Sequence, residues 1–141
     1  MPSILIADQS LAVAREIADV CQSLGLEVVG VARDGLDAVE QALRLRPSMV
    51  VLDLLLPRLS GAQVMASLTR QGLAAVVLVV TAVTARESVM AARDAGAQAY
   101  LLKPLVAQKL AEVLSARRPD AVRAAPSAAP PVVAQQRGAQ R

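Results

Sequence analysis

Five apolar runs in this chain carry no alternation of polarity, and helical patterns separate each from the next. The runs are Ser3–Asp8, Glu27–Ala32, Met49–Asp53, Ala75–Thr81 and Ala99–Lys103. A strand with one wet face alternates apolar and polar residues; a strand covered on both faces has no need to. The helical patterns fall at about Leu11–Leu24, Asp34–Leu45, Ser60–Gln71, Thr84–Ala95 and Val106–Arg118. Strands alternating with helices that cover both their faces give a three-layer α/β sandwich around a parallel sheet.

Local punctuation agrees with these boundaries. Val13, Ile17, Cys21 and Leu24 share one face of the first helix, and Gly25 closes it as a C-cap glycine would. Pro47 stops the second helix. Ser60 with Gln63, and Thr84 with Glu87, each match the capping-box spacing at a helix start. After Arg118 the pattern stops: residues 119–141 hold 4 of the 8 prolines and show no hydrophobic periodicity. The expected organisation is one domain over residues 1–118 and a flexible Ala/Pro-rich tail over 119–141.

Composition removes several functional classes. With no histidine anywhere, histidine nucleophiles, general bases and metal ligands are excluded together. The net charge of +3 resembles a nucleic-acid signal, but residues 1–118 hold 12 basic and 11 acidic side chains, so the body is nearly neutral. Without a basic face or interleaved aromatics, direct DNA or RNA binding finds no support. The longest apolar stretch, Leu73 to Val80, is too short to span a bilayer. A single cysteine forbids an internal disulfide, and Met1-Pro2-Ser3 runs straight into a strand with no room for a signal peptide. The expected location is cytoplasmic.

Four of the strand runs end in one polar residue each: Asp8, Asp53, Thr81 and Lys103. The carboxyl ends of parallel strands converge on one crevice, where ligands of such folds bind. Two carboxylates, a hydroxyl and an ammonium there can hold a divalent cation and accept a phosphoryl group. Asp53 is followed by Leu54-Leu55-Leu56, so no helix starts there for it to cap. Asp8 read alone is equally an N-cap, a role that Ser10 can take instead. Lys103 stands out because the chain uses arginine thirteen times and lysine twice; an ammonium is a compact charge suited to a phosphate oxygen. Thr81 is favoured in a strand in any case. Tyr100, the only aromatic residue, reads as packing or as a side chain that reports on the site.

Together these residues resemble the receiver domain of bacterial response regulators, over residues 3–118. The matching segments are Ile4-Leu5-Ile6-Ala7-Asp8, Val51-Leu52-Asp53-Leu54-Leu55-Leu56-Pro57, Val80-Thr81-Ala82 and Ala95-Gly96 through Lys103-Pro104. The resemblance implies a flavodoxin-like, doubly wound sheet of five strands in the order 2-1-3-4-5, an order not read from the residues themselves. It implies Asp53 as the phosphoacceptor and Asp8, Asp53 and the Leu55 main-chain carbonyl as magnesium ligands. Lys103, before a cis proline bond, would pair with a phosphoryl oxygen. Thr81 and Tyr100 would form the switch pair acting on the face built by the fourth helix, fifth strand and fifth helix. Leu55 and Val83 would tune hydrolysis, their aliphatic character favouring a long-lived phosphoaspartate. The implied partners are a sensor histidine kinase or histidine phosphotransfer protein and an unidentified downstream protein, in a two-component phosphorelay. Beyond its own phosphorylation and dephosphorylation, no enzyme activity is implied.

One position departs from the family pattern. The second member of the acidic pair falls on Gln9, leaving about two negative charges facing a cation rather than three, so weak magnesium binding is expected. Gln9 also keeps an alternative open: a pseudo-receiver, a protein-interaction module that works without phosphorylation. A phosphohydrolase of similar topology is disfavoured because no second acid follows Asp53. Met90, Ala91 and Ala92 fit a homodimer surface and plain core packing equally well.

Overall fold

The computed structural model describes residues 1–120 and the backbone of Val132–Val133. Strands β1 (Ser3–Ala7), β2 (Glu27–Ala32), β3 (Met49–Leu52), β4 (Val76–Thr81) and β5 (Ala97–Leu102) alternate with five helices. These are α1 (Leu11–Ser23), α2 (Gly35–Leu45), α3 (Gly61–Arg70), α4 (Arg86–Asp94) and α5 (Ala107–Arg117). All strand pairings are parallel, and the five strands lie in the order 2-1-3-4-5. A further two-residue strand, β6 (Val132–Val133), pairs with the outer edge of β5.

The non-alternating runs have the expected cause. In β1, Leu5 and Ala7 enter one core cluster while Ile4 and Ile6 enter the other. Val50 and Leu52 of β3 join the first cluster, and Met49 and Val51 the second. Every residue of β3 is buried, at about 1.5–3 kcal/mol for each large aliphatic side chain removed from water. The first cluster lies under α2, α3 and α4, the second under α1 and α5, where Cys21 is fully buried as expected. Burial pushes the pKa of that thiol up to about 12.

Helix ends follow their sequence signals with one exception. Ser10 caps α1 by accepting from the Val13 amide, and Gly25 takes the left-handed conformation just past its C-cap, φ +75. Ser60 and Gln63 form the complete capping box at α3. The second expected box does not form: α4 starts from Ala85 with no side-chain cap bond, so Thr84 is one residue too early. Strand β5 begins at Ala97 rather than Ala99, which places Tyr100 in mid-strand and Lys103 one residue beyond its end. Apart from Pro119, Asp120 and the β6 backbone, the tail expected over 119–141 lies outside the described residues.

β1 pairs with β2 on one side and β3 on the other, so the chain reverses direction of winding between β1 and β3. That switch point opens a crevice at the carboxyl ends of the strands. Asp8 and Asp53 are the first residues past β1 and β3, and they stand on its two sides.

Candidate phosphoacceptor site

Backbone bonds fix each strand end. The Asp8 amide donates to Ala32 O at 3.0 Å, the Asp53 amide to Ala7 O at 2.9 Å, and the Lys103 amide to Thr81 O at 2.8 Å. The four polar residues read from the strand ends are thereby brought together, with Asp8 1%, Asp53 4% and Thr81 0% exposed. A carboxylate that deep persists only with partners. Asp53 Oδ1 accepts from the Thr81 hydroxyl at 2.6 Å and from the Leu55 amide at 2.9 Å. Asp53 Oδ2 accepts from Lys103 Nζ at 2.7 Å.

Lys103 bridges the two acids, since its Nζ also lies 2.8 Å from Asp8 Oδ2. That oxygen is buried without a well-aligned hydrogen bond, so the ammonium compensates it chiefly as charge. Asp8 Oδ1 accepts from the Ser10 amide at 2.8 Å. Burial alone would lower the pKa of Lys103; hydrogen bonds and charge from Asp53 and Asp8 outweigh burial and raise it. The peptide bond from Lys103 to Pro104 is cis.

Tyr100 points inward at 3% exposure and donates its hydroxyl to Val83 O at 2.8 Å. Its pKa is raised by burial and then by the charge of Asp53. Val83 in turn sends its amide toward the Thr81 hydroxyl at 3.4 Å. One chain of contacts thus runs from Asp53 through Thr81 and Val83 to Tyr100. Leu55, half exposed, and Val83 both line an apolar groove of about 340 Å3 between the loop after β3 and α4.

Gln9 sits beside this group. Its Nε2 donates to the Leu55 main-chain carbonyl at 3.3 Å. The oxygen donors available to a hard cation are Asp8, Asp53, the Leu55 carbonyl and, after rotation of the amide, the Gln9 side-chain oxygen. Such a set fits magnesium in donor type. It is poor in charge: among the described residues no three His, Cys, Asp or Glu side chains gather at one point. Lys103 and the Gln9 amide already hold oxygens that a cation would use.

Several supporting residues escaped the sequence reading. Arg33 donates from Nε to Gln9 O at 3.1 Å and so braces the loop after β1. A Cβ on Gly61 would lie 2.5 Å from Asp53 O, and a Cβ on Gly35 would lie 2.0 Å from Leu59 O. Both glycines open helices, where glycine is a poor choice unless space demands it; that was the available signal. Gly35 also donates its amide to Pro57 O at 2.9 Å, tying α2 to the same loop.

The profile described as "Response regulator receiver domain" matches residues 4–115. The chain belongs to that family. It is similar to the transcriptional regulatory protein PdtaR of Mycobacterium tuberculosis, with 39% identity over 101 residues, covering 72% of this chain and 49% of PdtaR. The chemotaxis protein CheY of Treponema pallidum is 31% identical over 111 residues, covering 77% of each. Protein-glutamate methylesterase/protein-glutamine glutaminase 5 of Myxococcus xanthus is 40% identical over 114 residues, covering 78% of this chain and 33% of that enzyme. The chain therefore spans half or less of PdtaR and the methylesterase. Among solved structures, the receiver domain of the response regulator NarL from Mycobacterium tuberculosis superposes with a TM-score of 0.75 at 26% identity, covering 80% of this chain and 92% of that one. The family is that of two-component response regulators. No described helix is long and apolar enough to cross a membrane.

Proposed function

We propose that this receiver accepts a phosphoryl group on Asp53 and that Thr81 and Tyr100 pass the change to the surface formed by α4, β5 and α5. The observation that carries this reading is the convergence of a lysine ammonium and a threonine hydroxyl on the two oxygens of one buried carboxylate, at 2.7 and 2.6 Å. A carboxylate oxygen of Asp53 attacks phosphorus, the bond from phosphorus to the donor's leaving atom breaks, and the leaving group departs with its electron pair. Lys103 meets the charge on a phosphoryl oxygen, and the Thr81 hydroxyl, released from Asp53, donates to another. Rate enhancement in such a transfer comes from positioning and charge neutralisation. A divalent cation, held by Asp8, Asp53, the Leu55 carbonyl and Gln9, supplies further neutralisation when bound. The chain has no histidine, so the donor is another protein's phosphohistidine or a small acyl phosphate. A sensor kinase or phosphotransfer protein fits that chemistry.

Intact-protein mass after incubation with acetyl phosphate and magnesium tests the reading. The expected result is a phosphoryl adduct that is absent in Asp53→Ala; an adduct retained in that variant would overturn Asp53 as acceptor. Metal titration should give tighter binding in Gln9→Asp than in the unchanged protein, and equal affinities would contradict the weak-metal reading. With Leu55 and Val83 aliphatic, the phosphoaspartate should decay more slowly than in Leu55→Asn.

A second reading rests on a separate observation. Lys103 bridges both acids and offsets one of their two charges, and the Gln9 amide engages the Leu55 carbonyl, so the site's oxygens are largely engaged by the chain's own groups. A receiver so satisfied can act as a phosphorylation-independent interaction module. No adduct at saturating magnesium would favour this second reading.

A further inference from the structure

The outer edge of β5 is where the five-stranded sheet would end. An edge strand exposes a row of backbone donors and acceptors on which another extended segment can pair. In this chain that edge is covered by the chain itself: Val132 pairs with Tyr100 and Val133 with Leu101, in parallel. The geometry of the chain path explains the direction. Helix α5 returns from the carboxyl ends of the strands, so that Pro119 and Asp120 lie beside Met1, Pro2 and Ser48 near the amino ends of β1 and β3. A segment entering the sheet from that end must run parallel to β5.

The eleven residues 121–131 suffice for the crossing. Extended, they reach about 36 Å, whereas three strand spacings from β3 to beyond β5 are about 14 Å. The sequence also marks the place. Pro130-Pro131 precede Val132-Val133, the only adjacent β-branched pair after Arg118. Proline is tolerated at the start of a strand, and valine is favoured within one.

We propose that the C-terminal segment is a cis-acting cover strand, with Val132–Val133 occupying the β5 edge so that no external strand can add there until they leave. Two residues make a short ladder, so the cover is displaceable rather than a permanent sixth strand. The residue it pairs with is Tyr100, whose hydroxyl reaches Val83 beside the Asp53 cluster. The cover strand therefore grips the backbone of Tyr100, whose side chain links the acidic site to this edge. Its formation does not depend on phosphorylation of Asp53, and its failure would leave the phosphoacceptor reading untouched.

Amide hydrogen exchange, read residue by residue on the full chain by NMR, tests it. In a Val132→Pro/Val133→Pro variant, the two N–H groups that hold the segment to β5 carbonyls are lost. The segment then detaches together with the carbonyls that accept from β5, and β5 amides facing away from β4 should exchange at least about tenfold faster. The β5 amides paired to β4 should be unchanged and serve as the internal reference. A Val132→Thr/Val133→Thr variant keeps the donors and the strand preference, and should retain the protection. Unchanged exchange in the proline variant would overturn the proposal. Protection in the unchanged protein that rises with protein concentration would also overturn it, because a second copy would then be the cover.

Discussion

Helices α3 and α4 flank the same crevice and are held in opposite ways. Helix α3 begins with a complete capping box and buries Gly61, Val64, Met65, Ser67 and Leu68. Gly61 donates to Leu54 O at 2.9 Å and leaves no room for a Cβ beside the backbone of Asp53. Helix α4 has no side-chain cap and buries only Ala92. The apolar groove of about 340 Å3 runs between them. One helix is locked to the acceptor loop, and the other rests on β5 and on the loop that Tyr100 grips through Val83. The proposed phosphoacceptor role asks that the acid be held still while a distant surface moves. Rigidity on the α3 side and looseness on the α4 side divide those tasks between neighbours, since low-stability elements are the ones free to rearrange.

The sharpest way to break this contrast is Gly61→Ala. A methyl there meets the Asp53 carbonyl at 2.5 Å and Leu54 Cα at 2.7 Å, both backbone atoms that cannot turn aside. Forced overpacking of this kind costs about 1–3 kcal/mol. Denaturant unfolding should show that loss, and phosphoryl transfer to Asp53 should fall with it because the acceptor's own backbone moves. A neutral Gly61→Ala would show that the α3 side is not locked.

Next in size is a matched pair of cap deletions. Ser60→Ala removes the hydroxyl that accepts from the Gln63 amide at 3.2 Å and should cost about 1 kcal/mol. Thr84→Ala, at the position that the same sequence pattern marks in α4, should cost almost nothing, because no cap bond forms there. Equal losses in thermal unfolding would mean that α4 is capped after all.

Those two positions also show how far the sequence could be read. Apolar runs without alternation, and a polar residue closing each, are backbone-period and burial signals, so β1 to β5 and the cluster of Asp8, Asp53, Thr81 and Lys103 were legible from the residues. Capping boxes depend on which residue happens to leave the helix, and Thr84-x-x-Glu87 fits the pattern while the helix starts one residue later. Gly35 and Gly61 act through close approach to the loop after β3; a glycine opening a helix hints at such an approach, but no local pattern names the segment that it meets. The role of Gln9 is of the same kind: its amide meets Leu55 O across 46 positions. The β5 edge was hidden for a third reason, since two valines in an Ala/Pro-rich segment carry no period.

A smaller effect would sharpen the comparison from the loose side. Ala85 already has the extended backbone of an N-cap, φ −61 and ψ 131. Ala85→Ser offers a hydroxyl to the free amides of the first turn and should raise stability by about 0.5–1 kcal/mol. If the loose helix serves signalling, the same variant should also slow the response at the α4–β5–α5 face, which labelled-probe kinetics on α4 would detect. A gain in stability with unchanged kinetics would separate looseness from function.

The smallest expected effect at neutral pH belongs to the groups that titrate in alkali. Tyr100 keeps its proton in the fold above its ordinary value of 10.0, because burial and then the Asp53 charge oppose the phenolate. Lys103 is likewise raised above 10.5, the hydrogen bonds and charges of Asp53 and Asp8 exceeding the lowering by burial. In both cases the folded state binds protons that the unfolded state has released. Their stabilisation is complete below the unfolded values and is lost as pH rises through the folded ones. The buried Cys21 thiol, raised from 9.0 to about 12, begins the same loss earlier, on the α1–α5 side of the sheet. Unfolding free energy should therefore fall from pH 9 upward and more steeply above 10, at no more than about 1.4 kcal/mol per pH unit for each group. Tyr100→Phe should flatten only the part above pH 10, leaving the onset at 9 in place. An unchanged steep limb in that variant would mean that burial and the Asp53 charge do not hold the phenol protonated above its ordinary value.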